Sequence, residues 1–294
     1  MHTSVLLKEV LEYLDPRPGK RFIDATLNGG GHAEALLERI MPDGRVLGIE
    51  WDTELALQTR ERFARSPFKD NIDVVNDSYT NIIGIAERYQ FRPDGILFDL
   101  GLSSWHYEES GRGFSFKRDE PLDMRFHQST GVPVSEIINT YSPAELEQII
   151  RDYGEEQFSR QISAAIGQAR KLGPIVSVNR LVEVIGSAVP EWYKHRKIHF
   201  ATKTFQAFRI VVNDELGNVK KGVQAAIDLL PSGARLAVIS FQGQEDKIVR
   251  ELLKENVKAG RITQPVKGTT RPTWAEQTTN PRSRSAKMKV AQKI

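Results

Sequence analysis

Cysteine is absent from the 294 residues. This excludes disulfides, thiolate metal centres and a cysteine nucleophile, and it fits a reducing compartment. No apolar run approaches the ~20 residues a membrane-spanning helix needs. The first residues also lack a basic stretch followed by an apolar core, so the expectation is a cytoplasmic protein with no membrane partner. There is no internal repeat and no low-complexity tract. Neither sign of charge dominates: 41 Lys+Arg against 38 Asp+Glu leave +3. Any nucleic-acid surface must therefore come from clustering, as in Lys194-His195-Arg196-Lys197 and in Arg282, Arg284, Lys287, Lys289 and Lys293 near the C-terminus. What remains is an ordinary globular composition, 39% hydrophobic and 27% charged, long enough for a core and a second domain.

Through the first hundred residues, short β-rich runs at 22–26, 45–49, 72–75 and 95–100 alternate with amphipathic helical patterns, which predicts an α/β fold with a parallel sheet and crossover helices. Ala33, Leu36, Leu37 and Ile40 keep helical spacing between the first two runs, and Pro42 and Gly44 stop them. From about residue 108 strand-like runs give way to three successive helices. The first opens on Ser142-Pro143-Ala144-Glu145, which combines an N-cap, a proline at the first helical position and a capping-box glutamate. Helical patterns over 205–216 and 219–230 lead back to a strand at 235–241. In the final run Ala286, Met288 and Val290 alternate with Lys287 and Lys289, the pattern of a half-exposed antiparallel edge strand. The chain thus reads as a sheet domain over 1–107 and 204–294, interrupted by a helical insertion at 108–203.

Ligands of open α/β sheets bind outside the carboxyl ends of the strands. The first strand ends in Asp24-Ala25-Thr26-Leu27-Asn28-Gly29-Gly30-Gly31-His32, where consecutive glycines let backbone approach a ligand closely. A dinucleotide fingerprint wants glycine or alanine three positions after Gly31, and Glu34 stands there instead. Glu50, ending the second strand, can accept the hydroxyls of a ribose, whether from a nicotinamide or an S-adenosyl cofactor. Asp99 ends the fourth strand ahead of Leu100-Gly101-Leu102-Ser103-Ser104, where a carboxylate can orient an amine or cap the following turn. His195 and His199 stand four apart, with no carboxylate or cysteine evident to complete a metal site, so no metal is assigned.

The chain resembles the bacterial 16S rRNA cytosine-N4 methyltransferases along its whole length. The resemblance begins at His2-Thr3-Ser4-Val5-Leu6-Leu7 and runs through the glycine loop and Asp94-Gly95-Ile96-Leu97-Phe98-Asp99-Leu100-Gly101-Leu102-Ser103-Ser104. It continues through Arg112-Gly113-Phe114-Ser115-Phe116, Pro121-Leu122-Asp123-Met124-Arg125, Tyr153-Gly154-Glu155-Glu156 and Thr204-Phe205-Gln206-Ala207. Val212-Asn213-Asp214-Glu215-Leu216, Val238-Ile239-Ser240-Phe241 and Asn280-Pro281-Arg282-Ser283-Arg284-Ser285-Ala286 complete it. The resemblance implies a Rossmann-like seven-stranded methyltransferase sheet with an inserted helical substrate-recognition domain, and S-adenosylmethionine as cofactor. It implies cofactor contacts at Asn28, Gly29, Gly30, Gly31, His32, Glu50, Tyr79, Asp99 and His106, and Asp99 as the catalytic residue. Substrate contacts are expected at Trp105, Arg112, Phe114, Arg125, Lys194, Arg196, Lys197 and Phe241. The implied partner is small-subunit rRNA or the assembling small ribosomal subunit; a homodimer is left open.

The chain departs from the family pattern at several points. Asn28 replaces a usual glycine, Glu50 an aspartate, and Trp105-His106 a proline and glutamine; Phe200 and Lys203 stand for proline and arginine. Gln242-Gly243-Gln244-Glu245-Asp246-Lys247 stands where the family reads histidine, serine, leucine, glutamate, aspartate, arginine. Three function classes frame the chain: an RNA methyltransferase, a nucleotide-cofactor oxidoreductase disfavoured by the glycine spacing, and an RNA- or ribosome-binding relative without catalysis.

Overall fold

A computed structural model describes residues 4–294. His2 and Thr3 of the N-terminal motif lie outside the described residues. Seven strands form one sheet: β1 (Arg21–Asp24), β2 (Arg45–Glu50), β3 (Ile72–Asn76), β4 (Gly95–Asp99), β5 (Arg235–Ser240), β6 (Ile262–Thr263) and β7 (Lys287–Lys293). Their order is β3-β2-β1-β4-β5-β7-β6. The first five run parallel, and β7 is antiparallel to both β5 and β6.

The parallel strands are apolar on both faces because helices cover both. Phe22, Val46, Val74 and Leu97 point to one side, where Val10 of helix Leu7–Leu14 and Leu36, Leu37 and Ile40 of helix Gly31–Ile40 pack. Ile23, Leu47, Val75 and Ile96 point to the other, against Ile82 and Ile85 of helix Ile82–Arg88 and Val223 and Ile227 of helix Glu215–Leu229.

Strand β7 corrects the expectation of a half-exposed edge. It lies between β5 and the two-residue β6, with Met288, Lys289, Val290 and Ala291 all buried. Lys289 is tolerated there because Nζ donates to Thr269 Oγ1 at 2.6 Å and pairs with Asp246 at 3.1 Å. The true edge, β6, is too short to leave a period-2 signal.

The chain divides into two compact units, Met1–Ser103 with Leu216–Ile294, and Ser104–Glu215. These boundaries differ from those drawn at 107/108 and 203/204. Helix Ser104–Glu108 and helix Thr202–Val212 both belong to the helical unit, where Phe205 meets Phe116 edge-on at 4.6 Å and Gly154 packs tightly on the Lys203 backbone. Within that unit the three expected helices are Pro143–Asp152, Ser159–Ala169 and Val178–Ala188. The capping box at Ser142 forms in both directions with Glu145. No helix of the described residues is long and apolar enough to cross a membrane.

Candidate active site

A cleft of about 440 Å³ opens at the carboxyl ends of β1 and β4 in the sheet unit. Asn28, Gly29, Gly31, His32, Asp99 and Phe241, all singled out from sequence, line it. So do Ser4, Val5, Arg62, Ser103 and Asn280, to which composition and spacing assign no role, and Arg282, read from the sequence only as part of a basic cluster. Asn280 and Arg282 stand in a family motif, but nothing local indicates that a segment so distant in sequence returns to the first strand.

The glycine loop is held from below by Glu50. Its Oε2 accepts the Asn28 N–H at 2.8 Å and its Oε1 the Asp52 N–H at 2.9 Å, so β2 fixes the loop that follows β1. Thr59 donates to the Asn28 carbonyl at 3.0 Å and Arg62 to the Gly30 carbonyl at 3.3 Å, adding ties from helix Thr53–Ala64. Asn28 has φ +50°, which explains its occupying a position usually glycine in the resembled family: asparagine is among the few residues that tolerate the left-handed region.

The glycines divide the work. Gly30, with φ +79°, caps helix Gly31–Ile40, and a Cβ there would approach Phe63 to 2.6 Å, so this glycine is required by the protein's own packing. Gly30 is not among the residues lining the cleft. A Cβ on Gly29, by contrast, would meet nothing within 4 Å. Glu50 and Tyr79 lie outside the cleft lining as well. Tyr79 packs edge-on against Phe98 at 5.4 Å and against Gly222.

Three carboxyls and an imidazole occupy this region. Burial pushes Asp99 up to about 7. It pushes Glu50 up to about 8, against the pull of its two amide donors. Asp24, whose carboxyl faces the start of helix Gly31–Ile40, rises to about 6, chiefly by burial, with His32 pulling it down and Asp99 pushing it up. Burial also holds His32 below the usual imidazole range. The Asp99 N–H donates to Thr26 Oγ1 at 2.6 Å, pinning the end of β4 to the β1 loop. Its carboxyl has Oδ2 3.5 Å from His32 Nδ1, while Oδ1 is buried without a hydrogen-bond partner. Such an acceptor is costly unless something supplies a donor.

The remaining predicted residues belong to the helical unit. His106 is 3% exposed, with ring centroids of Trp105, Phe114 and Phe126 each 5.3 Å away. Trp105, Arg112 and Phe114, expected at the substrate, are also buried. The Arg112 guanidinium lies over the Trp105 and Phe114 rings and donates to the Arg125 and Phe126 carbonyls. Arg125 grips Asp123 through two hydrogen bonds of 2.7 and 2.8 Å, holding that carboxyl below its usual range. Lys194 pairs with Glu191 at 2.9 Å; Arg196, whose guanidinium lies over the Tyr193 ring at 5.1 Å, and Lys197 are exposed. His195 also meets Glu191, whereas His199 stacks between Phe116 and Phe200, so the two histidines do not converge. The departures at 242–247 form the start of helix Gly243–Lys258. There Glu245 accepts the Phe241 and Gln242 N–H groups, and Asp246 pairs with Lys287 and Lys289.

A family model for the MraW methylase family matches residues 1–294. Ribosomal RNA small subunit methyltransferase H of Desulfotalea psychrophila is 42% identical over 296 residues, covering 100% of this chain and 98% of that protein. The protein of the same name from Deinococcus deserti is 45% identical over 298 residues, covering 100% and 94%. A solved structure from Clostridium thermocellum covers 100% of both chains with a TM-score of 0.50 at 14% identity, a likeness of fold. With a full-length family match, near-full-length relatives above 40% identity and a cleft at the strand ends where the glycine loop and Asp99 meet, this chain belongs to the MraW methylase family.

Proposed function

We propose that this chain transfers a methyl group from S-adenosylmethionine to the exocyclic N4 of a cytidine in the decoding region of small-subunit rRNA, acting in the cytoplasm on the RNA or the assembling subunit. The observation that carries the reading is the Asp99 carboxyl, which lines a cleft at the end of β4 with its Oδ1 buried and lacking a donor. The residues present fit the cofactor. The space beside Gly29 admits a ligand against backbone, the amino end of helix Gly31–Ile40 suits a carboxylate, and Glu50 beneath Asn28 suits ribose hydroxyls. When bound, S-adenosylmethionine supplies a sulfonium-activated methyl group whose C–S electron pair returns to sulfur as the new N–C bond forms.

Cytosine N4 is a weak nucleophile because its lone pair is delocalised into the ring, so placement is the main lever. Approximation of well-oriented groups is worth about 7–11 kcal/mol. The Asp99 carboxyl accepts an N4–H hydrogen bond and holds the amine in line. After transfer the N4 cation loses one proton to the Asp99 carboxylate: the N–H bond breaks with its electrons remaining on nitrogen, and an O–H bond forms. Phe241, on the cleft wall, is placed to stack on the base. The exposed Arg196 and Lys197, with Lys194 beside them, are read as phosphate-binding cations.

Undermodified small subunits incubated with protein and labelled donor, then digested for nucleoside mass spectrometry, test this. Label should appear in N4-methylcytidine, and Asp99→Ala should cut turnover about 10²–10⁴-fold with RNA affinity little changed. Label in another nucleoside overturns the substrate; donor binding without any transfer overturns the catalytic reading.

A further inference from the structure

His32 stands between two elements that share no strand pairing. Its Nε2 lies 2.9 Å from the Val5 carbonyl in the N-terminal segment, and its Nδ1 lies 3.5 Å from Asp99 Oδ2 at the end of β4. A carbonyl oxygen only accepts, so Nε2 carries a proton. In the neutral ring Nδ1 then bears a lone pair that faces a carboxyl oxygen, two acceptors opposed unless a proton lies between them. The ring is buried, 5% exposed, which leaves it little room to turn.

We propose that His32 is a positioning residue for Asp99: locked in one tautomer by the Val5 carbonyl, it offers Nδ1 to a single proton on Asp99 Oδ2 and so fixes the orientation and protonation of that carboxyl at the end of β4. The proposal rests on the reading of Asp99 as the group that meets the amine. Below the titration of this pair the shared proton makes it neutral; above it, Asp99 is a full carboxylate able to take the proton released from N4. The charged and titratable groups around the pair are Asp24 from β1, Glu276 from helix Trp274–Thr279, and Glu34, Arg62 and Arg282 on the cleft wall. None of them offers a hydrogen bond to Asp99 Oδ1. Asp24 and Glu276 favour a proton on His32, and burial of the ring opposes it, which leaves the proton on Asp99. The N-terminal segment, which contributes no strand, thereby acts on the proton balance at the reacting end of β4.

Two measurements test this. In the wild-type protein, nitrogen NMR of His32 should give the Nε2–H tautomer, with an Nδ1 resonance that shifts as pH passes through about 7 and loses that shift in Asp99→Asn. Single-turnover methyl transfer should show an acidic limb in the same range, and His32→Phe should move its midpoint down by about one unit, a tenfold weaker hold on the proton. A midpoint that stays in place while the rate merely scales down overturns the proposal, as does a wild-type spectrum with the proton on Nδ1. The expected spectrum together with a rate that lacks an acidic limb overturns the catalytic reading of Asp99 while the pairing itself stands.

Discussion

At the residue scale the site depends on polar groups whose environment differs from their appearance in the sequence. Glu50 looks like a solvated strand-end carboxylate, yet it is 7% exposed and receives two backbone amides. With its ionisation pushed up to about 8, it is mostly protonated at pH 7 when no ligand is present. Ribose hydroxyls donate to the ionised form and favour it, so donor binding at pH 7 should release up to about one proton and tighten as pH rises toward 8. Calorimetry in buffers of different ionisation enthalpy measures this, and Glu50→Gln should abolish the release; an unchanged release would place the titrating group elsewhere. Asp99 and Glu50 were legible as strand-end carboxylates. Their burial was not, because it depends on what packs over them from distant parts of the chain. The burial of Trp105, Arg112 and Phe114 was not legible either, because aromatic and guanidinium groups suit a base-binding surface and a buried cluster equally well.

At the element scale the glycine loop shows two different needs within consecutive residues. Gly30 has a positive φ and a close approach to Phe63, so Gly30→Val should lower Tm and lose donor binding together, costing about 1–2 kcal/mol from backbone conformation alone. Gly29 has open space and lines the cleft, so Gly29→Val should leave Tm nearly unchanged while weakening donor binding by roughly tenfold or more, the equivalent of about 1.4 kcal/mol. Thermal unfolding read beside donor titration separates the two, and equal effects on both readouts in both variants would show that the glycines do not divide in this way. Helix starts were the most legible elements, since a capping box such as Ser142 to Glu145 acts within a single turn of chain. The terminal strand was misplaced because alternation reports which side chains turn together, not whether another strand lies beyond. The short β6 and the Asp246–Lys289 pair convert an expected edge into an interior strand.

At the scale of the whole molecule, a net charge of +3 cannot hold RNA by itself, so binding must concentrate where cations cluster. Of the run 194–197, Lys194 is paired with Glu191, and Arg196 and Lys197 stand exposed. Neutralising Lys194, Arg196 and Lys197 together should flatten the log–log salt dependence of RNA binding by about 0.7–0.9 for each phosphate that these side chains neutralise. A slope identical to wild type would assign the run to solvent.

By itself the sequence determined the α/β class, the order of parallel strands and helices up to β4, the helical character of the interruption and the strand-end placement of the glycine loop and Asp99. These follow from periodicity and from glycine, proline and capping signals that act within one or two turns of chain. Only the tertiary structure decided that Asn280 and Arg282 return to the cleft, that Val5 and Asp99 meet through His32, that Glu50 bonds the loop backbone, and that β7 is interior. Each of these joins segments far apart in sequence, and such contacts form because burial and hydrogen bonding together favour one arrangement of the assembled sheet. No local pattern encodes that choice, since a side chain's burial depends on neighbours that are distant along the chain.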